Sequence, residues 1–237
     1  MEILDSIGGF FYTIIKTFAD SIYLAVIKDN HYTYYLNGLC MSLQITLLAV
    51  VIGLTVGLLL AIFKLRNKGA LSIIANTYIS VIRGTPVVVQ LFIIYFIILA
   101  KSGLQPWLIA SVAFGLNSGA YVAEIIRSGI QAVDRGQMEA GRSLGLSYAK
   151  TMTYVIIPQA IKNVLPALGN EFVILLKETS VSGYIGIMDL NKSADKIISI
   201  TYNGIVAPLI VAYVYFIMTT TLSAGLGRFE RRLHQSD

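Results

Sequence analysis

Apolar residues in this chain fall in long runs rather than in alternation. Leu36 to Phe63 contains no charged residue, and neither does Gly204 to Leu226. A helix needs about 20 mostly apolar residues to cross roughly 30 Å of bilayer hydrocarbon, so both runs predict spanning helices. Three further runs are apolar but interrupted. They are 76–100, broken by Arg83-Gly84-Thr85-Pro86; 106–126, carrying Glu124; and 164–176, carrying Glu171. The pattern predicts an all-α integral membrane protein with five transmembrane helices, at about 36–63, 76–100, 106–126, 164–176 and 204–226.

The first 30 residues follow another rule. Leu4, Ile7, Phe11, Ile14, Phe18, Ile22 and Ala25 recur at helical spacing, with Asp5, Lys16 and Asp20 off that face. This predicts an N-terminal amphipathic interfacial helix over 1–30, ahead of a transmembrane domain over 31–237. A sixth, poor span is the alternative. A signal peptide is excluded, because Glu2 and Asp5 stand where it would be basic and Lys16 and Asp20 interrupt any apolar core.

Composition agrees with the membrane. The 237 residues are 56% hydrophobic and 13% charged, against about 25% charged in an ordinary soluble domain. Cys40, His31 and His234 offer neither a metal ligand set nor a nucleophile–base pair. The formal net charge of +5 does not point to nucleic acid, since the basic residues form no dense stripe; it reads as orientation. Placing the N-terminus outside puts 11 Lys and Arg in cytoplasmic segments and 6 outside, with Arg83 counted for neither, and predicts N-out/C-in.

Segment 128–158 is too polar to enter the membrane. Met138, Gly141 and Leu144 are placed to share one face of a short helix, with Glu139 and Arg142 paired at i,i+3 on another. Gly145 suits a left-handed closing position, Ser147 caps a second turn, and Pro158 restarts the chain toward the membrane. A helix over 134–146 then lies across the cytoplasmic face, its small residues permitting close approach by another protein. On pattern alone an ordinary amphipathic loop fits as well.

Glu139-Ala140-Gly141, then Gly145 and Val155-Ile156-Ile157-Pro158, resembles the EAA loop of ABC importer permeases, with Gly141, Val155 and Ile157 as small-for-small or aliphatic-for-aliphatic departures. Arg83-Gly84-Thr85-Pro86 with Gln90, the run from Tyr121 to Gln131, Gly136-Gln137, Pro158-Gln159-Ala160, Asn170-Glu171 and Lys177-Glu178-Thr179-Ser180 resemble the polar amino acid branch, of histidine, glutamine, glutamate and arginine type. The resemblance implies half of a dimeric channel, a homodimer or a paralogous heterodimer, in the cytoplasmic (inner) membrane of a prokaryote. It also implies a coupling helix carrying Gln137, Glu139, Ala140, Gly141, Arg142, Leu144 and Gly145, an ABC ATPase that holds ATP and Mg, an extracytoplasmic substrate-binding protein and a polar amino acid as substrate. The chain carries no G-x-x-x-x-G-K-[ST] phosphate cradle of its own, so no cofactor is expected on it and it is not expected to be an enzyme.

Ionisable groups inside a bilayer face a partner or a wet cavity. Glu171 has Ala167, Leu168, Ile174 and Leu175 at its i±3 and i±4 positions, so no neighbour on its own helix neutralises it. It is the leading substrate ligand, favouring a basic or amide-bearing amino acid, above all arginine; pairing with Arg83 is the alternative. Glu124 has Arg127 three residues on, and an ion pair or a ligand role both fit. Pro86 breaks its segment, freeing amides at Gly84 and beyond, together with the Thr85 hydroxyl, for a substrate carboxylate or for neighbouring helices. Asn117 and Ser118 add small polar groups that equally suit helix packing. An ion-gradient-driven secondary transporter is the rival function, but the paired hydropathy repeats common in that class do not occur here.

Overall fold

The computed structural model describes residues 2–65 and 69–234, and all regular structure among them is helical. Helix α1 (Glu2–Ile22) runs into a π turn (Tyr23–Ile27) and a 3₁₀ turn (Lys28–Asn30). There Asp29 and Asn30 take left-handed backbone, φ 51° and 58°, a conformation that Asp and Asn tolerate best among non-glycine residues. Buried His31 closes the corner, with its Nδ1 2.7 Å from the Leu24 carbonyl oxygen. Of the expected apolar face, Ile14, Phe18 and Ile22 are exposed, whereas the side chains of Leu4, Ile7 and Phe11 lie outside the described ones.

Helix α2 (Tyr32–Leu65) and helix α5 (Pro106–Gln131) form the longest contact of the bundle. Their close approach rests on two glycine pairs at i,i+4, Gly53 and Gly57 on α2 and Gly115 and Gly119 on α5. A Cβ at Gly57 would lie 2.4 Å from Val122 Cγ1, and one at Gly119 would lie 2.8 Å from Val56 Cγ1. Each helix thus sets a branched side chain into a notch on the other, the small-residue packing that membrane helices use in place of a hydrophobic driving force.

The run expected to span at 76–100 is not one helix. It divides into α3 (Ala70–Arg83) and α4 (Val87–Ile93), the latter extended by a π turn (Ile94–Ile98), and the two meet at 111°. Pro86 cannot continue the α3 ladder and caps α4 in extended backbone. Beyond α5 come α6 (Arg135–Ser143), the single turn α7 (Tyr148–Thr151) and α8 (Ile157–Glu178). A 3₁₀ stretch (Thr179–Ile185) leads to α9 (Leu190–Thr201) and α10 (Val206–His234).

Helices α2, α5 and α10 are long and apolar enough to cross a membrane, and the bent α3–α4 pair counts as a fourth candidate by the same measure. The expected span at 164–176 lies in α8. That helix has 22 residues but also carries Lys162, Asn170, Glu171, Lys177 and Glu178, which lower its hydropathy below that of the others. The main core joins Ile45 of α2, Leu91 of α4, Phe114 of α5 and Leu175 of α8. A second cluster seats α9 on α2 and α10 through Tyr35, Leu190, Ile197 and Val211.

Candidate functional site

One stripe of α5 gathers the polar contacts of the bundle. Asn117, Ser118, Tyr121 and Glu124 recur at near-helical spacing, so their side chains share one side of the helix. Asn117 Nδ2 donates to Gln90 Oε1 at 2.9 Å, which reaches α4. Ser118 Oγ donates to Glu171 Oε1 at 2.8 Å, which reaches α8. The Tyr121 ring lies under the Arg83 guanidinium at 5.3 Å, which reaches α3. Glu124 accepts from Lys64 at the end of α2 and from Arg127 at 2.8 and 2.9 Å, with Arg83 at 4.0 Å.

These contacts frame a cavity of about 480 Å³ lined in part by Arg83, Tyr121, Glu124, Arg127, Asn170 and Glu171. Glu171 is 8% exposed, and among the described residues its hydrogen-bond partner is a neutral hydroxyl. A carboxylate so placed gains little against its desolvation from the protein itself. Arg83, by contrast, is held loosely, through a long ion pair and a ring face, and 45% of its side chain is exposed. Anionic and cationic groups therefore line one cavity, an arrangement suited to a zwitterion bearing a further polar or positive group.

The expected substrate set divides in two. Glu171, Arg83 and Glu124 line this cavity, and Ser118 reaches it only through its hydrogen bond to Glu171. Gly84, Thr85, Pro86 and Asn117 do not line it. The Thr85 hydroxyl donates to the Val81 carbonyl at 2.9 Å and accepts from Gln90 Nε2 at 2.9 Å, so it is already engaged by the kink. Gln90 Nε2 also donates to the Ile82 and Thr85 carbonyls at 2.7 and 3.0 Å, satisfying the backbone that Pro86 leaves open. Glu171 does not pair with Arg83, which turns to Glu124 instead. Sequence reasoning passed over Lys64, Gln90 and Tyr121 as working side chains. Tyr121 and Glu124 share a helix face, a local signal, but Lys64 is 60 residues from Glu124 and has none.

The exposed segment between α5 and α8 takes the expected form with corrections. Asp134 caps α6, accepting from Gly136 N at 2.6 Å, and Ser147 caps α7, accepting from Lys150 N. Gly145 is left-handed, at φ 85°. Gly141 is buried inside the segment, where a Cβ would lie 2.5 Å from Thr151 Cγ2. Its small size serves packing of α6 on α7. Leu144 is the C-cap residue of α6 and is 83% exposed. Glu139 and Arg142 do not pair; Arg142 Nη1 donates to the Leu146 carbonyl at 3.1 Å. Gln137, Glu139, Ala140, Arg142, Leu144 and Gly145 all remain exposed.

A bent apolar segment, a charged cavity inside a helical membrane bundle and a short exposed helix between spans define a multi-pass transport subunit. The chain belongs to the family described as binding-protein-dependent transport system inner membrane component, whose pattern it matches over residues 53–235. It is 41% identical over 192 residues to the putative glutamine transport system permease protein GlnP of Rickettsia conorii, covering 80% of this chain and 88% of that one. It is 39% identical over 206 residues to the arginine transport system permease protein ArtQ of Bacillus subtilis, covering 86% and 94%. Among solved structures, a chain of an amino acid ABC transporter with histidines aligns with TM-score 0.81 and 49% identity, covering 86% of this chain and 95% of that one.

Proposed function

We propose that this chain is the membrane-spanning permease of an ATP-driven amino acid importer, with five spans, N-out/C-in, in a prokaryotic cytoplasmic membrane. On this reading α8 is the fourth span in chain order, its polar groups turned to the transport path. The substrate is a polar amino acid, above all a basic one such as arginine. Glu171 receives its positive group, while Arg83 swings from Glu124 and Tyr121 toward its α-carboxylate. The observation that carries the reading is the buried Glu171, hydrogen-bonded among the described residues to a neutral hydroxyl, on the same cavity as a loosely held arginine. An arginine substrate can make two parallel hydrogen bonds to such a carboxylate. The named relatives are a putative glutamine permease and an arginine permease, consistent with an amide- or guanidinium-bearing side chain.

The exposed α6 segment serves as the coupling helix for ABC ATPase subunits, which bind ATP and Mg; an extracytoplasmic binding protein delivers substrate, and a second permease completes the path. Reconstitution with the ATPase and binding protein, with ATP hydrolysis measured against a panel of amino acids, tests the whole. Stimulation strongest for arginine, lysine, histidine or glutamine is expected. Uptake that follows an ion gradient and ignores ATP would overturn it.

A further inference from the structure

The charged cavity does not end at Glu124. A second cavity of about 380 Å³ adjoins it and shares three of its lining residues, Ile125, Ser128 and Ala167. The second cavity continues past Ala132 at the end of α5 and Asn163 on α8 to Glu230 on α10, and all three of these are exposed. Spacing explains the continuity. Glu124, Ser128 and Ala132 recur every four residues, as do Glu171, Ala167 and Asn163 on α8, so each set forms one row along its helix. The two helices run antiparallel with these rows together. Ser118 Oγ donates to Glu171 at one level, and Asn163 Nδ2 donates to the Gly129 carbonyl at 3.5 Å at another. The rows lead about 12 Å along the helices, from the charged cavity toward the end of the bundle where α5 passes into the α6 segment.

Where the two cavities join, both rows carry a small residue, Ser128 and Ala167. A zwitterion leaving Glu171 needs polar groups or water at every step through the bundle, and the Ser128 hydroxyl, the Asn163 amide and the Glu230 carboxylate follow in turn. The Ser128 hydroxyl already donates to the Ile125 carbonyl at 3.0 Å, so it meets a substrate as an acceptor. We propose that the joined rows are the exit route of the transported amino acid, and that the second cavity is a release subsite in which Asn163 and Glu230 hold its polar and positive groups. The proposal rests on the importer reading, since it starts from an amino acid held at Glu171, and it needs no second permease.

The test uses the transporter assembled with its ATPase and binding protein in proteoliposomes, otherwise free of cysteine, with Ala167→Cys in the permease. N-ethylmaleimide added to the assembled protein places a bulky group at the join after folding is complete. ATP-driven uptake of labelled arginine, or of glutamine if that stimulates more, is expected to be lost on modification. The same amino acid is expected to go on stimulating ATP hydrolysis, because loading at Glu171 is spared and exit is not. Ser128→Cys approaches the join from α5, is expected to behave alike, and decides the matter if Ala167→Cys does not assemble. Complete modification with uptake unchanged would overturn the route, and so would failure of both cysteines to react, since the route must admit water. Loss of stimulation together with uptake at both positions would also overturn it, by assigning the join to the loading site alone. A transporter that takes up neither amino acid on ATP before any modification would instead overturn the importer reading, and the route with it.

Discussion

At Glu171, charge and shape can be separated. Glu171→Gln keeps an oxygen able to accept from Ser118 Oγ, so the α5–α8 contact survives while the negative charge is lost. A hydrogen bond to a charged group is worth about 1.5–3 kcal/mol. The half-maximal concentration of a basic substrate for stimulating ATP hydrolysis should therefore rise by roughly ten- to a hundredfold, with assembly and basal hydrolysis unchanged. Loss of assembly with unaltered selectivity would return Glu171 to a purely structural role. Both membrane carboxylates are visible in the sequence as charges inside apolar runs, and so is the Glu124–Arg127 pair, because i,i+3 is a local relation. Ser118 is 53 residues from Glu171 and Lys64 is 60 from Glu124. Such contacts depend on how whole helices meet, which no local spacing encodes.

Helices meet here through notches, caps and one broken backbone. Gly57→Leu should wedge α2 from α5, since even a Cβ there would lie 2.4 Å from Val122. Overpacking of this kind costs about 1–3 kcal/mol, and a lower thermal midpoint in detergent would register it. Outside the spans, Asp189 is fully buried and caps α9, accepting from Lys192 N at 2.6 Å, Ser182 Oγ at 2.5 Å and Gly183 N at 2.8 Å. Burial holds its carboxyl above the usual range, although these donors pull the other way. Asp189→Asn would turn an amide donor toward Ser182 and Gly183 or toward Lys192 N, leaving donors unpaired. A loss of about 1–3 kcal/mol is expected, and an unchanged thermal midpoint would contradict it. In the exposed segment, Leu144→Ala and Gly141→Trp should differ. Leu144 touches little within the chain, so its truncation should weaken ATPase co-purification without lowering the permease's own thermal midpoint. Gly141→Trp should lower both, because it strikes Thr151 first. The capped helix and its closing glycine were legible because capping is written in adjacent residues. The burial of Gly141 was not, because it depends on how α6 folds back on α7.

For the molecule as a whole, the decisive fact is the exposed charge beside its cavity. Arg83 is 45% exposed within a bundle whose remaining surface is largely apolar, and the described part of α10 has its spanning stretch almost wholly uncovered by the rest of the chain. Water is absent from bilayer hydrocarbon, so on the proposed reading a charged cavity at membrane depth must be closed by protein. One chain does not close it. Two permeases facing each other across the Arg83 side would convert the two cavities into a sealed route near their common axis, leaving the aliphatic faces to lipid. The mass of the transporter in detergent or lipid nanodiscs should therefore correspond to two permeases with two ATPases. Placing a cysteine at Ile174, which is exposed on the rim of the cavity, in a Cys40→Ser background should then give a disulfide or a short bismaleimide link between permeases if the rims face one another. A cysteine at Leu58, which is exposed on α2 and does not line the cavity, should not. A particle holding one permease on one ATPase, or cross-linking through position 58 rather than 174, would show that the charged side is sealed in some other way.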